Sequence, residues 1–166
     1  MDQHIEESYK HSSKSILESY PRTKIYTVHG DPLALARPRF TTGRVWDCQK
    51  QLKFTFSLAL QEQHNNEPLF TGPLHIDMVF YMPMPNISIS RKVKLNNTYH
   101  IFTPDLTNLE KFAEDVATGI IYANDCIVSS FYSYKIYDNN PRTDIIVTEL
   151  KGFQLVMKKE FVVRGE

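Results

Sequence analysis

The chain has 166 residues, nineteen of them basic and nineteen acidic, and 42% of it is hydrophobic. That length fits one domain with a single core of ordinary size, and zero formal charge excludes a global field drawing the protein to nucleic acid or an anionic membrane, so any such affinity is local. No apolar run reaches the roughly 18 residues of a spanning helix, and Cys48 and Cys126 stand far apart with no CxxC or Cys/His cluster, so the expectation is a soluble, unprocessed cytoplasmic chain without membrane contact, structural zinc or disulfides.

Residues 1–22 read as a polar N-terminal extension, 23–150 as the domain, and 151–166 as a C-terminal extension that is either a further strand or an arm onto a partner. Lys24 to Val28 carries the first strand signal, and "HGDP" after it is a turn cluster. In "LALARPRFTTGR", Pro38 keeps Arg37 extended, so Arg37 and Arg39 project from a loop or strand edge. From Cys48 to His64 the apolar spacing suits a helix. Leu74 to Met82 alternates with period two, as in a strand with one buried face, and Pro83 and Pro85 end it. Asn86 to His100 carries Arg91, Lys92 and Lys94 without an acid and with little periodicity, and reads as a long basic loop. Cys126 to Tyr137 and "DIIVTEL" are the last strands. The fold expected is α/β (α+β), a single domain with a small mixed β-sheet and two principal helices.

Between these elements lies "TPDLTNLEKFAEDVATGIIYANDC", where Asp105, Glu110, Glu114, Asp115 and Asp125 face the single base Lys111. Asp105 follows Pro104 at a position suited to capping a helix by accepting from its first free amides. At about 100° per residue, Leu109, Phe112, Ala113 and Val116 share an apolar arc, and Gly119 ends the helix. Thr107, Asn108, Lys111, Asp115 and Thr118 form a second, polar arc, with Glu110 and Glu114 between the two and free to be solvated.

This arc admits two readings. One is a solvated helix face with Lys111 and Asp115 as an i,i+4 pair worth a few tenths of a kcal/mol. The other follows from Asp125, which the short "IIYAN" connection folds back along the helix toward Asp105. Carboxylates brought together repel unless a proton or cation sits between them, and hard oxygen ligands suit Mg²⁺ or Mn²⁺ completed by water and substrate phosphates. A neighbouring ammonium, Lys111, then orients a water or offsets transition-state charge, which is the equipment for phosphodiester hydrolysis. Basic flanks, Arg37 and Arg39 on one side and Arg91, Lys92 and Lys94 on the other, would hold the phosphates.

"PDLTNLEKFAEDVATGIIYANDCIV" resembles the signature of RusA-type Holliday junction resolvases, PDxDNLxKxxxDxLxG followed closely by a pair of aspartates and a strand. "DPLALARPRF" resembles that family's strand, turn and Arg-Pro-Arg segment, and the two matches together span about Lys24 to Leu150. The resemblance implies a small mixed α/β fold, a homodimer, and a Mg²⁺-dependent endonuclease, with Mn²⁺ as a substitute, that nicks symmetric strands of branched DNA, the four-way junction. It implies Asp105 and Asp125 as metal-binding aspartates, Lys111 as the catalytic-site lysine, and Asn108 and Asp115 as the motif's Asn and further acid.

The chain departs from the pattern twice. Thr107 stands where the commonest motif has a second aspartate, which removes a charge while leaving a hydroxyl able to ligate Mg²⁺ or hold its water. Asn124 replaces the first acid of the aspartate pair, and its amide preserves the hydrogen bonds of an acid in a supporting position. Three readings follow: an active nuclease, a junction-binding protein of the same fold with weakened or lost catalysis, and a protein without nucleic acid whose aromatic strand Phe131 to Tyr137 is a partner surface.

Overall fold

The computed structural model describes residues 21–36, 39–41, 44–46 and 48–150, with backbone only for the two short segments 39–41 and 44–46. Its elements in chain order are β1 (Thr23–His29), β2 (Arg39–Thr41), β3 (Arg44–Trp46), α1 (Lys50–His64), β4 (Leu74–Pro83), α2 (Ile89–Leu95), α3 (Leu106–Ala117), a 3-10 turn (Asp125–Ile127), β5 (Val128–Asp138) and β6 (Arg142–Glu149). β2 and β3 pair as a hairpin apart from the main sheet. Among the described residues no helix is long and apolar enough to cross a membrane.

The main sheet has the order β1-β6-β4-β5. β6 is antiparallel to both its neighbours, and β4 and β5 are parallel, so the chain between them must cross over, which is the work of α2 and α3. Alternation along β4 sends Leu74, Ile76, Met78, Phe80 and Met82 to one face, where Ile145 and Val147 of β6 and Tyr26 of β1 join them. α1 and α3 cover that face with Phe56 and Leu60, and with Leu109, Phe112, Ala113, Val116 and Ala117. Phe112 is fully buried and meets Phe56 edge to face with ring centroids 5.5 Å apart. Burial of one such ring contributes roughly 1.5–3 kcal/mol, so this contact anchors α3 to α1.

The helix ends follow backbone preference. α1 stops where Asn65 enters the left-handed region at φ 52°, which asparagine tolerates, and its N–H returns to the Gln61 carbonyl at 3.0 Å. α3 ends differently: the Thr118 N–H returns to the Glu114 carbonyl at 3.0 Å, and Gly119, at φ 80°, turns the chain so that its own N–H donates onward to the Tyr122 carbonyl at 2.8 Å. Each edge strand also has a partner. On β1 the Thr27 N–H donates to Gln63 Oε1 at 2.8 Å and its carbonyl accepts from Gln63 Nε2 at 2.9 Å. On β5 the His100 N–H donates to the Lys135 carbonyl and the Tyr137 N–H to the Thr98 carbonyl, both at 2.9 Å.

The mixed sheet and its helices are as the sequence indicates, with two corrections. The stretch expected as a long basic loop holds α2, which puts Arg91, Lys92 and Lys94 on a third helix. It escaped notice because a helix that buries none of its residues has no apolar periodicity to read. The strand expected from Cys126 opens instead with the 3-10 turn, and β5 starts at Val128. Arg37 lies outside the described residues, as do residues 1–20 and 151–166; Arg39 is described only as the first residue of β2. Arg22 already joins the sheet, its carbonyl accepting from the Glu149 N–H at 2.8 Å.

Candidate functional site

α3 runs antiparallel to β5 on its polar flank: Ser133 Oγ donates to the Glu110 carboxylate, and the Lys135 ammonium donates to the Phe102 and Pro104 carbonyls just before the helix. Toward the start of β5 the two elements open into a cleft of about 430 Å³, lined by Thr107, Glu110, Lys111 and Glu114 of α3 and by Asp125, Val128 and Phe131.

The connection after α3 is what brings Asp125 there. The Phe70 N–H donates to the Ile121 carbonyl at 3.0 Å and the Ala123 N–H to the Phe70 carbonyl at 3.2 Å, pinning the connection at two points. Fully buried Tyr122 donates its hydroxyl to the Glu114 carbonyl at 3.3 Å. Burial raises the pKa of that hydroxyl, a hydrogen bond with Thr118 opposes the rise, and the charges of Glu114, Asp125 and Asp115 add to it, so it remains a donor. Asn124 caps the 3-10 turn, its Oδ1 accepting from the Cys126 N–H at 3.1 Å, which sets Asp125 at the turn's first position. An aspartate at 124 would accept the same bond, so the cap is kept with either residue.

Lys111 Nζ lies 3.0 Å from Glu114 Oε2 and 4.0 Å from Asp115 Oδ1. Its pKa is raised, first by the hydrogen bond to Glu114 and by that carboxylate's charge, with Asp115 and Asp125 adding, so the amine is a cation held among acids. The expected Lys111–Asp115 pair is therefore the longer of two. The expectation that Glu110 and Glu114 are merely solvated is not met either, since one takes Ser133 and the other Lys111. Angular position on a helix shows which way a side chain points and says nothing of the strand that meets it.

Asp105 precedes α3 with extended backbone, φ −65° and ψ 141°, and its carbonyl accepts from the Asn108 and Leu109 amides at 3.1 and 3.3 Å. Its carboxylate does not cap the helix as expected: no helix amide bonds to it. The helix start is held from outside instead, by Lys135 on the carbonyls before it, and the exposed carboxylate has no partner among the described residues. Asp105 lies toward Lys135, and Asp125 lines the cleft just before Val128. Thr107 lines the cleft with Asp125, while Asp105 is not among the lining residues.

Asn108 ties a second segment to this region. Its carbonyl accepts from the Leu35 N–H at 2.7 Å, and buried Gln49 forks across the same segment, accepting from Ala36 N–H at 2.7 Å and donating to the Ala34 carbonyl at 2.8 Å. The chain leading into Arg37 and Arg39 is thereby fixed to the first turn of α3. Arg91, Lys92 and Lys94 are not brought to the cleft. α2 joins β5 near Tyr137, through the Asn97 N–H on the Tyr137 carbonyl, six residues beyond Phe131 and so on the order of 20 Å along the strand.

The donors in the cleft are oxygens: the Thr107 hydroxyl and the carboxylates of Glu110, Glu114 and Asp125. Glu110 and Glu114 have partners, whereas the Asp125 carboxylate accepts no hydrogen bond among the described residues, only the backbone carbonyl of that residue doing so, from the Val128 N–H. No group of three His, Cys, Asp or Glu among the described residues is arranged to hold an ion by itself. The set is unsuited to zinc and fits a hard cation that keeps its waters and takes the rest of its shell from substrate phosphates, as Mg²⁺ and Mn²⁺ do.

A family model described as endodeoxyribonuclease RusA matches residues 29–148, most of the chain and all of this site. A Bacillus subtilis (strain 168) protein, described as uncharacterized protein YqaN, is 33% identical over 137 residues, which cover 76% of this chain and 96% of the relative.

Proposed function

We propose, because this chain belongs to the RusA endodeoxyribonuclease family, that it is a Mg²⁺-dependent endonuclease that hydrolyses phosphodiester bonds in branched DNA, the four-way junction above all, and acts as a homodimer in DNA recombination and repair. The observation that carries this reading is the meeting of Lys111 and Asp125, from different elements, in one acidic cleft whose donors suit a hard cation.

In this reading Asp105 and Asp125 hold the ion with Thr107 as hydroxyl or water-bridged support, and the ion supplies charge for a phosphoryl oxygen and an acidified water. Lys111, kept protonated by Glu114, offsets charge that develops on the phosphoryl oxygens, and an already placed cation does so without reorganising. Asn108, Asp115 and Asn124 support this set: Asn108 through its carbonyl, which holds the Leu35 N–H, Asp115 through Lys111, Asn124 by capping the turn of Asp125. Arg37, Arg39, Arg91, Lys92 and Lys94 take phosphates, the α2 residues on a duplex arm away from the cut.

Cleavage of a labelled mobile four-way junction with Mg²⁺, Mn²⁺ or EDTA, by the wild-type chain, Asp105→Asn and Asp125→Asn, tests the proposal. Expected are paired symmetric nicks that need metal and fall at least about a hundredfold in either variant. Nicks that persist in EDTA would overturn it.

A second reading has its own support. Thr107 lines the cleft with a hydroxyl where the family signature has a carboxylate, so a junction binder with weakened catalysis fits the same cleft. Tight junction binding without nicks in either metal would select it.

A further inference from the structure

The segment between α2 and α3 exposes three large apolar side chains within four residues: Tyr99 at 70%, Ile101 at 80% and Phe102 at 65%. The chain there is held firmly. A β-bridge joins Tyr99 to Ile136, the His100 N–H donates to the Lys135 carbonyl at 2.9 Å, and the His100 ring packs on Tyr137 with centroids 4.6 Å apart. Beyond it the Lys135 ammonium bonds the Phe102 and Pro104 carbonyls. His100 thus turns inward while Ile101 and Phe102 stand outward on a backbone fixed at both ends, three residues before Asp105.

An apolar tip kept in water by a rigid backbone marks a contact surface. The charge around it indicates the partner, because α2, directly upstream, presents Arg91 and Lys94 to solvent. Cations beside an apolar tip complement a nucleic acid, in which phosphates meet the cations and base faces meet the tip. Opening an intact duplex stack costs a few kcal/mol per step, whereas bases at a branch have already lost part of their stacking.

We propose that Ile101 and Phe102 form a wedge that inserts against unstacked bases at the branch point of DNA and so selects branched over continuous duplex. The inference rests on the branched-DNA nuclease reading and adds the element that recognises the branch.

The test uses the full chain in EDTA, with a four-way junction carrying 2-aminopurine beside the crossover and a duplex of the same sequence. Wild type should raise 2-aminopurine emission on binding. The Ile101→Ser/Phe102→Ser double variant should bind the junction without that rise, and its preference for junction over duplex should fall about tenfold. Phe102→Leu, which keeps apolar bulk, should retain most of the signal, and matching melting curves confirm that these exposed changes leave the fold intact. An undiminished rise and preference in the double variant would overturn the wedge. A changed oligomeric state with unchanged DNA signals would also overturn it and make the surface a protein interface. If wild type binds neither DNA, the nuclease reading itself falls, which is a distinct result.

Discussion

Lys111 stands 3.0 Å from the carboxylate of Glu114, closer than the 4.0 Å that separates it from Asp115, so the acid that holds the lysine is the one between the two helix faces. The pair does more for the charge of the lysine than for the fold.

Glu114→Gln should therefore change activity more than stability. The Lys111 side chain is 52% exposed, so solvent screens the pair and its loss should cost at most a few tenths of a kcal/mol. The raised folded-state pKa of Lys111 gives a stabilisation present at neutral pH and lost only as pH rises through that value, above the ordinary 10.5. In the variant the pKa should fall, as ¹⁵N-detected titration of the Lys111 side chain would read, while the melting temperature stays within a degree or two.

Thr107→Asp adds a carboxylate to the cleft that Asp125 lines. The Mg²⁺ concentration for half-maximal junction cleavage should drop about tenfold, since ligand charge count tunes affinity for hard cations. Unchanged metal dependence and rate would count against the proposed position of the ion.

Lys135→Met should act at a distance from the cleft. It strips the bonds from the Phe102 and Pro104 carbonyls, a loss of about 1–2 kcal/mol, and loosens both the wedge segment and the start of α3. Melting should fall by roughly 3–8 °C for a domain of this size, and cleavage should fall more than junction binding does.

Stability should decline in mild acid. Burial is the leading cause that lowers the pKa of both His64 and His100, the positive charges of Lys24 and Lys135 respectively also acting against protonation. Because the unfolded chain binds protons at the ordinary 6.5 and the folded chain resists them, stability is full above that value and lost as pH falls below it. Melting temperature followed from pH 7.5 to 5 should drop, and His64→Gln should flatten the drop by removing one of the two groups.

The large elements were legible because their burial is one-sided. The period-two pattern of β4 and the apolar arc of Leu109, Phe112, Ala113 and Val116 each meet a single buried face, and both appear as read. α2 was not legible because it has no buried face, and β2 and β3 are three residues each. In the site, Thr107, Lys111 and Asp125 line one cleft, yet Glu110, Glu114, Val128 and Phe131 line it too. Their part depends on the crossover that lays α3 beside β5, a long-range pairing that no local pattern encodes. The non-capping carboxylate of Asp105 has the same origin, since it is Lys135, from a strand thirty residues further along the chain, that holds the helix start.

The partners on the two edge strands bear on how the molecule behaves in a crowd. A strand arriving at β1 would have to displace both amide bonds of Gln63 from Thr27, and one arriving at the far half of β5 would have to peel His100 from Lys135. At Thr27 and at the far half of β5 the ladder is therefore stopped by the chain's own side chain or loop, and a stray strand finds no open rung at those two places on which to begin a fibre.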